Sequence, residues 1–163
     1  MAGNFTAQYG TANQALTITL GSLGNSDNFV ARESTVVDNS SDLALDALVV
    51  VRVHVGTVAV NKCVVVRAYG TVDGSVYTSK ATGSDAAYGT GNQCVGLLPI
   101  IGIIPTLTSS IKYESAPMSV ASAFGGVLPQ KWGIVVQNQS GAALDVTTVD
   151  NCAKYQLVSQ SYT

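Results

Sequence analysis

Residues 45–55, LDALVVVRVHV, alternate between an apolar set and a mixed set. Leu45, Ala47, Val49, Val51, Val53 and Val55 form one set, and Asp46, Leu48, Val50, Arg52 and His54 the other. A period of two belongs to an extended strand, whose successive side chains point to opposite sides of a sheet. A helix, at about 3.6 residues per turn, would scatter the same valines around its circumference. The segment therefore predicts a strand with one buried face, and it places Arg52 and His54 on the other.

The same period recurs. In QALTITL (14–20), Leu16, Ile18 and Leu20 share a side. In KCVVVRAY (62–69), Val64, Val66 and Ala68 point inward, while Cys63, Val65, Arg67 and Tyr69 point the other way. In LPQKWGIVVQNQSGAALD (128–145), Trp132, Ile134 and Val136 form a candidate core anchor entered through Pro129. Lys131, Gly133, Val135 and Gln137 take the opposite side, and a turn is expected from Asn138 to Gly141. Asp73-Gly74 in TVDGSVYT predicts a hairpin, because a tight primed turn needs positive φ. Further strands are expected at 29–37, 109–114, 117–124 and 153–159, and no helix is predicted. The small, polar stretch 81–93 predicts a long surface loop.

Many short strands separated by Gly, Asn and Ser turns predict an all-β, single-domain β-sandwich with jelly-roll or Greek-key connections. Residues 14–163 form that domain, preceded by an extended N-terminal arm at 1–13. Charged residues make up 11% of the chain, against roughly 25% in ordinary soluble domains. So few charges leave apolar surface that calls for a partner. Net charge is −2 without a basic tract, which gives no footprint for nucleic acid.

The 3 cysteines, Cys63, Cys94 and Cys152, do not make a disulfide framework and lack the spacing of a zinc site. The start of the chain has no basic stretch followed by an apolar run, so no signal peptide is expected. The sequons at Asn4, Asn39 and Asn138 then read as products of composition. VGLLPIIGIIPTLTSSI (95–111) is shorter than the about 20 residues a spanning helix needs. Pro99 and Pro105 would also break a helix. No membrane span is expected; two extended pieces fit, as a strand edge or apolar arm on a partner, or as a core strand bent at its prolines.

Chemistry is poorly supplied. The single histidine, His54, lies mid-strand with no nucleophile elbow in the sequence. Asp38, Asp42 and Asp46 have helical spacing in a region that reads as a turn, so backbone capping by Asp38 and Asn39 is expected there. Calcium could use such oxygens, but the spacing matches no EF-hand loop. No phosphate-binding glycine motif occurs. No cofactor or metal is expected, nor an enzyme. Tyr77 and Tyr88 could join a sugar platform.

Four phrases carry a resemblance: STVVDNSSDLALDALVVVRVHVG (34–56), VRAYGTVDGSVYTSKATGSDAA (66–87), SAPMSVASAFGG (115–126) and LPQKWGIVVQNQSGAALD (128–145). In order and pattern they resemble small β-sandwich virion proteins of tailed bacteriophages. The resemblance implies a capsid decoration or cement protein, frequently trimeric, assembled in the host cytoplasm and carried on the virion. Its partners would be the major capsid protein or other virion proteins. The regions expected to make contact are 1–13, 81–93 with Tyr88, and 95–106 with Leu97, Leu98, Ile100, Ile101, Ile103 and Ile104. Alternatives are a tail, neck or fibre component, or a carbohydrate-binding attachment module using Arg52, His54, Arg67 and Tyr69. A cell-wall hydrolase would need an acid pair that the sequence does not set out.

Overall fold

The computed structural model describes residues 4–26, 30–59, 62–89, 91, 93–147 and 149–162. Residues 1–3 of the expected arm, residue 29 of an expected strand, and residues 90 and 92 of the expected loop lie outside this set. The described strands, in chain order, are β1 (Phe5–Tyr9), β2 (Gln14–Leu16), β3 (Ala31–Glu33), β4 (Val37–Asp38), β5 (Asp46–His54) and β6 (Lys62–Thr71). They continue with β7 (Ala86–Tyr88), β8 (Ile100–Thr106), β9 (Lys112–Glu114), β10 (Met118–Ser119), β11 (Lys131–Gln139) and β12 (Cys152–Tyr162). No α-helix occurs among the described residues, only 3-10 turns.

The strands form two antiparallel sheets, giving the expected β-sandwich. Sheet I runs β1-β12-β5-β10, with β2 also on β12 and β9 also on β5. Sheet II runs β7-β3-β11-β6-β8, with β4 also on β11. Apolar alternation sets which side of each sheet is inside. Ala47, Val49, Val51, Val53 and Val55 of the β5 region face Val64, Val66, Ala68, Trp132, Ile134 and Val136 of sheet II across one core. Leu16, Ile18 and Leu20 join that core, although only the first of them is in a strand. Trp132 is fully buried, and its ring meets Tyr155 of sheet I edge-on at 5.4 Å. That geometry suits the ring quadrupoles and ties the sheets together. Leu45 departs from the expected face: it precedes β5 and is exposed.

A second, smaller cluster lies on the outer side of sheet II. It comprises Ala31, Tyr69, Ala81, Tyr88, Val95, Leu98 and Val135. The 81–93 stretch is therefore not a plain surface loop. It contains β7, which pairs with β3, and it helps cover the apolar outer side of β6 and β11. Covering that side removes from water the apolar area that β6 and β11 would otherwise expose.

The hairpin expected at Asp73-Gly74 is a turn without a second paired strand. Asp73 accepts hydrogen bonds from the Ser75 and Val76 amides, and Gly74 takes φ 77°. β11 pairs with β6 from Cys63 to Thr71, but β8 reaches only as far as Arg67; beyond it the Thr78 hydroxyl accepts from the Gly70 amide and donates to the Gly70 carbonyl, so the chain after the turn meets that edge through a side chain and not a ladder. It enters a 3-10 turn at Thr78–Lys80 instead. The expected strand 29–37 is divided into β3 and β4, and 117–124 becomes the short β10 followed by a 3-10 turn at Ala121–Phe124. The expected arm carries β1, which pairs along its length with β12.

Candidate functional site

The segment 95–106 lies at the edge of sheet II. Val95 and Leu98 enter the outer cluster before Pro99, and the chain then becomes β8, whose only ladder partner among the described residues is β6. The register runs Val65↔Ile103 and Val66↔Gly102, then jumps to Arg67↔Ile100. Ile101 is the extra residue of a β-bulge. The bulge resets the alternation, so Ile100 and Ile103 both share the outer side with Val65 and Arg67. Gly102 faces inward, where a Cβ would run into Met118.

This geometry sorts the expected contact residues. Ile100 is 50% exposed, Ile103 56% and Leu97 73%, and Leu107, which the sequence reading passed over, is 79% exposed. Ile100 and Ile103 lie on the outer side of β8, with Leu97 in the 3-10 turn before it and Leu107 directly after it. Ile101 is half-buried against the inner core. Three assignments are corrected. Leu98 is 2% exposed, Ile104 3% and Tyr88 0%, so none offers surface to a partner. Leu98 and Tyr88 fill the outer cluster, and Ile104 faces the inner core opposite Val64. The apolar composition of GLLPIIGIIP marked the region, but only the bulge decides which isoleucines point outward.

Polar groups pin the cover to sheet II. Tyr69 donates from its hydroxyl to the Ser34 carbonyl at 2.6 Å, and burial pushes its pKa above the usual tyrosine range. Tyr77 packs edge-on against Tyr69 at 5.8 Å. The Glu33 carboxylate, itself buried, accepts from the Thr82 amide at 2.9 Å and its hydroxyl at 2.7 Å. Tyr88 donates to the Ser79 carbonyl at 2.8 Å. Arg67 donates to the Leu98 carbonyl at 2.7 Å, and burial lowers its pKa. Gln137 is buried, and neither of its amide atoms has a hydrogen-bond partner among the described residues.

Among the described residues no second apolar cluster covers the outer side of sheet I. It carries half-buried Leu48, Val50, Arg52 and His54. Arg52 forms an ion pair with Glu114, which raises its pKa, and Lys112 pairs with Asp150 at 2.8 Å. A shallow cavity of ≈ 200 Å³ lies here, lined by Asn13, Leu48, Val50, Pro117 and Lys154 among others. His54 Nδ1 has no hydrogen-bond partner among the described residues and lies 3.9 Å from Asp145 Oδ2. Arg52 and His54 are thus on one outer side of the sandwich, and Arg67 and Tyr69 on the other. These four residues do not converge, and buried Tyr88 does not join Tyr77 in a sugar platform.

The carboxylates of 38–46 also separate. Asp38 caps the Ser40 amide, and hydrogen bonds from Ser40 lower its pKa. Asp46 accepts from the Ala47 and Ala121 amides. Asn39 closes its own turn through Ala44, which buries its amide and leaves nothing to glycosylate. Among the described residues no group of three His, Cys, Asp or Glu side chains is placed to hold a metal ion. The three cysteines are free. Comparisons with protein families, with characterised protein sequences and with solved structures find no match to this chain.

Proposed function

We propose that this chain is a non-enzymatic structural protein of a bacteriophage particle, a cement or decoration protein that binds the outer capsid surface and stabilises the shell. The observation that carries the proposal is the exposed apolar edge at β8: Leu97, Ile100, Ile103 and Leu107. Single exposed apolar side chains are ordinary on a protein surface, whereas four large ones within one short edge segment suit an interaction surface. The low charge of the chain and the four virion-like sequence phrases support the same reading.

The mechanism is linkage. A protein that binds the assembled shell and not its dissociated subunits stabilises the shell by mass action. A specific contact buries about 800 Å² per partner. The β8 edge supplies its apolar centre.

The test is addition of purified protein to undecorated shells, followed by sedimentation, together with quantitative mass spectrometry of native particles. Hundreds of copies per particle, scaling with the major capsid protein, are expected. Ile103→Lys should leave folding intact, because the side chain is exposed, and should weaken shell binding by about ten-fold or more through a desolvated charge. A low copy number would place the protein in the tail or neck. Absence from particles would overturn the reading.

A further inference from the structure

The β8 edge is guarded by Pro105 and a bulge, devices that discourage strand addition. At the other end of the molecule, β1 closes sheet I with the sequence FTAQY. It has no proline, charge or register break along its pairing with β12. All of its residues are exposed, so the β1–β12 ribbon extends beyond the support of the opposing sheet. A two-stranded ribbon is marginal in water, and a third strand makes it substantially firmer.

The backbone direction of β1 follows from one bond. The register runs Phe5↔Tyr162 to Tyr9↔Val158, and the next residue, Gly10, donates its amide to the Leu157 carbonyl at 2.9 Å. Hydrogen-bonded and non-bonded pairs alternate in an antiparallel ladder. Gln8 and Thr6 therefore direct their backbone groups toward β12. Ala7 and Tyr9 direct theirs to the other edge, which carries no other strand among the described residues, with Ala7 in the middle of β1.

We propose that β1 is a self-pairing edge, through which two copies of this chain join antiparallel about a twofold axis at Ala7. That register sets Ala7 opposite Ala7 and Phe5 of one copy opposite Tyr9 of the other. The pairs that exchange backbone hydrogen bonds, Ala7 with Ala7 and Phe5 with Tyr9, are then drawn from the outward set, and Thr6 opposes Gln8 in the non-bonded positions between them. No charge is desolvated on either side, and the aromatic cross-strand pairs add to the backbone bonds. The contact is isologous, so it closes as a dimer. The new sheet runs β12-β1-β1-β12 across the axis. The inference goes beyond shell binding and does not depend on it.

Sedimentation equilibrium of the full-length protein tests it. The native chain should be a dimer. Ala7→Pro removes an amide that points away from β12, so it should give a folded monomer with an almost unchanged melting temperature. Ala7→Lys places like charges opposite each other and should weaken the dimer by on the order of ten-fold or more. Mixing Ala7→Lys with Ala7→Glu should restore a dimer that neither variant forms alone. The lysine and glutamate variants keep the test decisive if proline perturbs the ribbon. A native chain that stays monomeric into the millimolar range would overturn the proposal, as would an oligomer indifferent to all three substitutions.

Discussion

Sheets I and II differ in how they use their outer sides. In β5 burial alternates residue by residue, whereas every residue of β11 between its two ends is buried. Sheet I has one core side and one open side. Sheet II has a core on both sides, the second made by its own 77–98 segment. Burying the second side adds apolar contact, but it also commits Glu33, Tyr69 and Tyr88 to fixed hydrogen-bond partners. The large apolar side chains that sheet II leaves exposed include Ile100 and Ile103 of its β8 edge.

The inner core should dominate stability, and Trp132→Ala is the severe way to test this. The side chain is fully buried and bridges to Tyr155. Loss of about 3–5 kcal/mol is expected from truncating a buried tryptophan. Urea unfolding should show both sheets failing in one transition, because the residue joins them. A two-step transition would break the comparison by making sheet I independently stable.

The cover should fail more gently. Glu33→Ala leaves the Thr82 amide and hydroxyl without their acceptor beneath the cover. A cost of about 0.5–1.5 kcal/mol per lost hydrogen bond is expected, because Thr82 is exposed and water can replace part of what Glu33 supplied. Hydrogen exchange should quicken through residues 77–89 while the amides of β5 and β12 keep their protection. Equal loss of protection in both sheets would mean that the cover and the inner core form one cooperative unit.

The difference between the sheets was partly written in the sequence. The alternation of 45–55 announced a strand with one dry side, and β5 has that form. WGIVVQ and CVVV carry apolar residues at both parities, which is the pattern of a strand buried on both sides. Their inner residues were legible, but the nature of their outer cover was not. A stretch as small and polar as ATGSDAAYGTGNQ shows no periodicity, and only tertiary contact reveals that Tyr88 and Ala81 are its buried points. The β8 surface was legible as an apolar region. Its division into outward Ile100 and Ile103 and inward Ile104 was not, because a bulge is set by how the strand fits β6. The Asp73-Gly74 turn was correct in chemistry and misleading in topology, since local signals do not report that the Thr78 side chain takes the Gly70 backbone groups in place of a returning strand.

Acid provides the mildest probe of the cover. Burial tends to raise the Asp85 pKa, but hydrogen bonds from Arg32 and Thr19 outweigh it and hold the carboxyl below its ordinary range. Arg32 lies on β3 and Asp85 immediately precedes β7, while the Thr19 amide reaches the same carboxylate at 3.0 Å. A carboxyl whose pKa is lower in the folded chain binds protons more readily when unfolded. Its stabilisation is complete above the unfolded value, about 3.9, and disappears as pH falls through the lower folded value. Hydrogen exchange at residues 85–88 should therefore rise relative to β5 as pH drops below about 4. In Asp85→Asn that relative rise should vanish, with the β7 amides already less protected at neutral pH. An identical acid response in the native and asparagine chains would detach Asp85 from the cover, and Glu33 would remain its principal buried polar anchor.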